Sequence, residues 1–303
     1  MGDETDVVLV RAWESQALWS LVAVQCKRQV TSGRIIVLTL LATGALLQPL
    51  AKVLGSLVGG HGLVPMFTSG LGAAALACVP ILRRAWLGTQ NVSDWARARS
   101  ASEGLKHEIY LYLTRTEPYH DSNAHQLLAE RRADLVHKIE DLEKYAATVE
   151  VKKADPPKPM DAAAYFEQRV ASQIAEYYRP QAKQLAERCA AYRSLELWLS
   201  ILAAILGALA SACQASSVGA WVAVVTTVGA AITAHIAANG YDQKIRAYRS
   251  TAQRLEELRD TWMVAVSNSQ ITPEKTSALI RDCERIISIE NEGWMSEAIR
   301  KDA

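Results

Sequence analysis

Residues 35–82 and 197–238 make up ninety positions that hold a single Asp, Glu, Lys or Arg, namely Lys52. Charged residues are 21% of the chain, so an even spread would place ~19 of them there. Exclusion on that scale is what a hydrocarbon environment imposes. The mean hydropathy of +0.01 hides it, because the rest of the sequence is strongly charged. Each stretch divides at a turn signal, the first at Gly59-Gly60-His61-Gly62 and the second near 214–219. The four arms cover about 35–57, 63–82, 197–213 and 218–238. Each is long enough to cross a hydrocarbon core of about 30 Å. The expected fold is an all-α membrane protein: two parallel copies of a transmembrane helical hairpin flanked by long cytoplasmic helices.

Orientation follows from the basic residues beside the arms. Lys27, Arg28 and Arg34 precede the first, and Arg83, Arg84, Arg97 and Arg99 follow the second. Arg179, Lys183, Arg188 and Arg193 precede the third, and Lys244, Arg246, Arg249 and Arg254 follow the fourth. Only Lys52 lies toward the hairpin tips. This asymmetry predicts a multi-pass protein of the cell membrane, a bacterial inner membrane, with both termini cytoplasmic. The opening 34 residues lack the apolar core of a cleavable signal. A kink is expected at Pro49, with Lys52 reaching the outer interface. The net charge of +1 argues against a nucleic-acid partner.

The chain reads twice as helix, hairpin, helix, helix. The first unit is 1–150, the Pro-rich segment 151–160 containing Pro156-Pro157-Lys158-Pro159 is a linker, and the second unit is 161–303. In the second unit Phe166, Val170, Ile174, Tyr177, Leu185, Cys189 and Tyr192 follow a three-and-four spacing that predicts one packed face, with a kink at Pro180. Ile245, Tyr248, Ala252, Leu255, Trp262 and Val266 form the next face, and Ile280, Cys283, Ile287, Trp294 and Ala298 the last. Arg259 and Glu290 interrupt these two faces at apolar positions, which predicts an ion pair between the last two helices. In the first unit Leu128, Leu135, Leu142 and Val149 repeat every seven residues, as in a coiled coil, and predict one continuous helix. Arg99-Ser100 with Leu105 echoes Arg249-Ser250 with Leu255, which points to an internal repeat. The loop 114–126 between these helices is polar and reads as solvated.

The stretches Tyr165-Phe166-Glu167-Gln168-Arg169, Arg249-Ser250-Thr251-Ala252-Gln253-Arg254-Leu255 with Trp262, and Glu290-Asn291-Glu292-Gly293-Trp294 resemble the SLATT family. These are two-transmembrane effector domains associated with SMODS nucleotidyltransferases and SLOG sensors. Trp95–Leu105 and its hairpin resemble a more divergent member, so the chain looks like a tandem pair. The resemblance implies a membrane effector, pore-forming, in bacterial conflict and anti-phage systems.

No chemical motif stands beside this. Cys26, Cys78, Cys189, Cys213 and Cys283 form no CxxC pair, and His120 and His125 have no zinc-site spacing. Catalytic residues, metal ligands and cofactors are therefore all expected to be none. The arms themselves carry the candidates. Ala203, Gly207 and Ser211 on the third, and Gly219, Ala223, Thr227 and Ala231 on the fourth, recur every four residues, as helix-packing positions do. Thr226, Thr233 and His235, with Thr39 and Thr43 on the first arm, supply weakly polar faces that could line a pathway; the competing reading has each hydroxyl bonded back to its own helix. The expected function is an oligomeric membrane effector that forms or gates a pore or ion channel, its cytoplasmic helices serving assembly and input. The expected partners are the lipid bilayer, further copies of the chain and a cytoplasmic signalling protein. A membrane-anchored helical scaffold recruiting cytoplasmic partners is the alternative. A parallel-repeat transporter is a weaker third, for want of intramembrane charge.

Overall fold

The computed structural model describes residues 2–58, 62–151, 155–213 and 216–302, with side chains for all of these except 2–6, 216–217 and 289–302. Most of the first turn signal, Gly59-Gly60-His61, lies outside the described residues, as does part of the second.

The described chain is helical wherever it has regular structure. Helix α1, Gly2–Val58, would be roughly 85 Å long at 1.5 Å per residue. It runs unbroken from charged sequence into the first apolar arm and through Pro49. Helix α2, Leu63–Trp86, returns along it. A short break at Leu87-Gly88 starts α3, Thr89–Leu113, with Gly88 in extended conformation. Helix α4, Ala124–His137, follows, then a 3-10 turn, Glu140–Leu142, and the single-turn α5, Glu143–Ala146.

The second unit starts at α6, Ala162–Tyr165, where Asp161 Oδ1 accepts from the Ala164 N–H and caps the helix. Two π-helical stretches, Phe166–Ala171 and Gln173–Tyr178, lead into α7, Arg179–Cys213. Pro180 lacks an N–H and would crowd the Glu176 carbonyl in a regular helix, so a widened turn just before it is physically reasonable. Where the sequence predicts a simple kink, the structure spreads the change over these two stretches. Helix α8, Ser216–Asn239, gives way to α9, Tyr241–Ser267, through Gly240 at φ 58°, the left-handed region that glycine tolerates. Helix α10, Pro273–Asp302, closes the chain.

Four segments are long and apolar enough to cross a membrane, one on each side of the two hairpins. Within them α1 packs on α2, α7 on α8, and α1 also on α8, so the hairpins stand side by side. The charged helices form a body whose main core belongs to both units. Leu9 and Ala12 of α1, Ile109 and Tyr112 of α3, and Leu128 of α4 meet Phe166, Val170, Leu255 and Ile280 there. A second core is private to the first unit and joins Trp19, Val22 and Cys26 to Trp95, Ala98 and Leu105.

Two expectations change. The seven-residue repeat of the first unit is not one helix. The chain turns after His137, which lets Ile139 and Leu142 drop into the core around Trp19 and Trp95. Arg97 holds the turn, donating to the Lys138 carbonyl at 2.9 Å and to Asp141 Oδ2 at 2.7 Å. The loop 114–126 is not wholly solvated either. Tyr119 is fully buried, packs edge-on to Tyr112 with ring centroids 5.8 Å apart, and donates its hydroxyl to Glu108.

Candidate functional site

The fourth apolar arm divides its faces sharply. Val224, Val225, Ile232 and His235 are buried within the chain. Gly219, Ala223 and Thr227 are exposed, and a Cβ added at Gly219 would meet nothing within 4 Å. On the third arm Ser211 is exposed and Ala203 and Gly207 are half-buried, with open space again where a Gly207 Cβ would sit. At Gly207 and Gly219, then, the chain brings no neighbour within reach of an added Cβ.

Ala231 departs from the expected face. It is half-buried and lines a cavity between α1 and α8. Each four-residue step turns about 40° past a full circle, so three steps from Gly219 rotate Ala231 about 120° away.

Close backbone approach occurs instead in the first hairpin. A Cβ on Gly44 would lie 2.6 Å from Leu76 Cγ, and one on Gly72 would lie 3.0 Å from Leu47 Cβ. Gln48 Nε2 donates to the Ser69 carbonyl at 3.3 Å across the same contact.

The hydroxyl-bearing candidates are exposed. Thr39 donates to the Ile35 carbonyl at 2.9 Å, Thr226 to Val222 at 2.9 Å and Thr227 to Ala223 at 2.7 Å, each satisfied by its own helix. Thr43 is exposed as well. Thr233 differs: its hydroxyl donates to Glu196 Oε1 of α7 at 2.5 Å and lies 3.1 Å from the Gly229 carbonyl. Glu196 is one residue before the third arm, and sequence reasoning passed over it. Its signal was an acid directly at an apolar boundary. His235 is buried against Tyr192, with ring centroids 5.1 Å apart, and its carbonyl accepts from Asn239 at 2.8 Å. It stands on the opposite side of the helix from the open small-residue face.

A second site lies in the shared core of the charged body. Arg169, in the first π-helical stretch, meets Glu284 of α10 in a two-pronged pair: Nε to Oε1 at 3.0 Å and Nη2 to Oε2 at 3.2 Å. The two side chains are 3% and 1% exposed, so neither charge has water to fall back on. The Tyr165 hydroxyl donates to the same carboxylate at 2.9 Å, and the guanidinium carbon lies 4.3 Å from the Tyr110 ring centroid. Loss of hydration opposes the Arg169 charge, but Glu284 more than offsets this and raises its pKa. Burial, then the Glu284 charge, pushes the Tyr165 phenol well up.

The expected pair, Arg259 with Glu290, falls partly outside the described residues. Arg259 contacts the adjacent Asp260, at 3.4 Å, and the Glu290 side chain lies outside the described residues. Among the described side chains the buried acid of α10 is Glu284, and its partner is Arg169 of the first π-helical stretch. Arg169 closes the Tyr165–Arg169 stretch that carries the family resemblance, which was the available signal.

Buried free thiols at Cys26, Cys189 and Cys283 sit within packed helices, whereas Cys78 and Cys213 are exposed on the apolar arms. Among the described residues no three His, Cys, Asp or Glu side chains converge on a metal-sized space.

Paired hairpins, long apolar helices and a charged helical body define an all-α membrane protein built from two units. Residues 165–294 match the family model of SMODS and SLOG-associating 2TM effector domain 1, and residues 17–127 match one described as Protein of unknown function (DUF4231). The second unit of the chain is thus similar to a SLATT-family domain. No curated protein and no solved structure matches the chain.

Proposed function

We propose that the chain is one subunit of an oligomeric, multi-pass effector of the cell membrane that forms or gates a pore. In this reading both termini and the charged helical body are cytoplasmic, and the body serves assembly and input from a signalling partner, without a catalytic step of its own. The observation that carries the proposal is the open face of α8. Gly219, Ala223 and Thr227 are unused inside the chain, although residues this small normally allow close helix contact in a membrane. A second copy supplies the missing neighbour. Thr226 and Thr233 are exposed too, so a water path wetted by their hydroxyls lies between chains. The effector description of the matched family supports the role, and anti-phage or conflict signalling is its proposed setting.

The test joins oligomeric mass to conductance in planar bilayers. The purified protein is expected to run as an oligomer and to conduct. Ala223→Leu is expected to yield a smaller particle, and Thr226→Val an intact oligomer of lower conductance. An oligomer that stays silent under every voltage and pH tested would sink the pore. The scaffold reading would then take its place, and one observation already favours it: the hydroxyls of Thr39, Thr226 and Thr227 are satisfied by their own helices.

A further inference from the structure

The four apolar arms stand in an open row. Helix α2 packs on α1, α1 on α8 and α8 on α7, with no comparable contact between α2 and α7. The inner arms are partly sealed: Gly44, Pro49 and Ala51 of α1 and Val224, Val225, Ile232 and His235 of α8 are buried. The outer arms are not. In α2 only Gly72 is buried, and the buried residues of α7, Ala182 and Cys189, both precede its apolar part.

The contact between the units sets a pattern. Helix α1 carries the first arm of one hairpin and α8 the second arm of the other, so a first arm packs on the second arm of the next unit. They run antiparallel, and Arg34 Nη1 donates to Asn239 Oδ1 at 3.4 Å where both leave the apolar layer. The units are alike in build. In each, the second arm ends at a Gly break, Gly88 after α2 and Gly240 after α8, and a long charged helix follows. The same rule applied once more pairs α7, the first arm of the second unit, with the α2 arm of a first unit. Within one chain α2 and α7 lie at opposite ends of the row, so that α2 must come from another copy. A contact repeated in this way is head-to-tail, and it closes into a ring when the rotation between copies allows.

The exposed faces fit each other. On α7 the half-buried Leu199, Ala203, Leu206 and Ala210 mark the packed side, while Ile201, Ala204 and Ala208 share an exposed face. On α2 the contact with α1 runs through Gly72 and Leu76, and Gly70, Ala74 and Ile81 are exposed on the far side. Laid antiparallel with the ends of the arms matched, Ala204 falls beside Ala74 and Ala208 beside Gly70. Small residues at one depth on both helices let their backbones approach.

We propose that α7 packs on α2 of a second copy of the chain, so that the row of arms continues from one copy to the next. The proposal rests on the oligomeric part of the reading above and adds a contact at the ends of the row to the open face of α8. It does not depend on conduction.

The test is cross-linking in cell membranes, in full-length chains with the five native cysteines replaced. Ala74→Cys and Ala204→Cys are placed in separately tagged chains, co-expressed, and oxidised with a catalyst that enters the bilayer. A disulfide needs Cα atoms within about 7 Å, so a covalent dimer reports direct apposition. The mixed pair is expected to bridge, and neither single variant is expected to bridge when expressed alone. Leu197→Cys, seven residues or roughly 10 Å from Ala204 along α7, should not bridge to Ala74→Cys. Gly70→Leu adds bulk where a Cβ meets nothing within 4 Å in its own chain, so it should lower the yield of the mixed bridge and leave the unfolding midpoint in detergent unchanged. Absence of the mixed bridge in a protein that runs as an oligomer overturns the proposal, assigns the outer arms to lipid and leaves the oligomeric reading standing. A bridge formed by Ala74→Cys alone overturns it too, because two α2 arms would then meet about a two-fold axis. A yield that Gly70→Leu does not change marks a chance collision and has the same consequence. Absence of any bridge together with a monomeric mass removes both readings.

Discussion

Arg169 and Glu284 are two charges in a place where neither could remain alone. Removing one leaves the other buried and unpaired, a loss of about 3–5 kcal/mol. Removing both costs far less, because packed apolar side chains of similar volume avoid the desolvation of two ions. Arg169→Ala and Glu284→Ala should therefore each lower the apparent unfolding midpoint in detergent severely. Arg169→Met with Glu284→Leu should recover most of it. The remaining deficit belongs to the Tyr165 hydroxyl, which loses its acceptor at 2.9 Å, and Tyr165→Phe added to the double variant should close it. If the double variant is as weak as the two single losses added together, the pair does not act as a unit. The physics of this site was readable from sequence as a type: a charge on an apolar helix face must find a partner. Which charge finds which was not, because the pairing depends on how α10 rotates against the π-helical stretch, and that rotation leaves no periodic mark. On α10 the buried acid among the described side chains, Glu284, stands six residues before Glu290, whose own side chain lies outside the described residues.

At the scale of elements, the apolar arms were legible because charge exclusion over ninety positions has no other economical cause, and the four segments stand where that exclusion placed them. Element ends and breaks were harder to read. Leu128, Leu135 and Leu142 keep a seven-residue rhythm across a chain that turns after His137, since a rhythm constrains which side faces the core but not whether the backbone stays helical between repeats. Small residues show a related difference. The four-residue series of the second hairpin is largely turned outward, whereas a tight contact inside the chain is Gly44 against Leu76 in the first. A glycine matters where a neighbour is close, and closeness is not in the pattern. The contrast is testable. Gly44→Val should force Leu76 and the Gly72 carbonyl aside, overpacking the hairpin at a cost of about 1–3 kcal/mol. Gly207→Val and Gly229→Val meet open space and should leave the unfolding of the detergent-solubilised chain nearly unchanged. Comparable destabilisation at all three positions would mean that the second hairpin is packed in the soluble particle by something other than its own chain.

On the scale of the whole molecule, the two units are not beads on a string. The residues 155–161 between them are irregular, but Leu9, Tyr112 and Leu128 share a core with Phe166, Leu255 and Ile280, and α1 lies against α8 in the apolar layer. The proposed topology therefore has both hairpins enter the membrane from the same side, since a body built jointly by both units would not be divided between two compartments. The distribution of basic residues is the ground for proposing that this side is cytoplasmic: fifteen flank the ends of the arms joined to the body, against Lys52 alone toward the tips. Each arm pair would have to invert with several arginines crossing hydrocarbon for the opposite orientation to form. Cysteine labelling in whole cells decides it. In a background with the five native cysteines replaced, Ser56→Cys and Ser217→Cys place thiols near the two hairpin tips, and Ser122→Cys places one in the exposed part of the loop after α3. An impermeant thiol reagent should modify the first two in intact cells and the third only after lysis. Labelling of Ser122→Cys from outside would reverse the orientation. Labelling of one tip but not the other would break something larger, because a body with a common core admits only hairpins that point the same way.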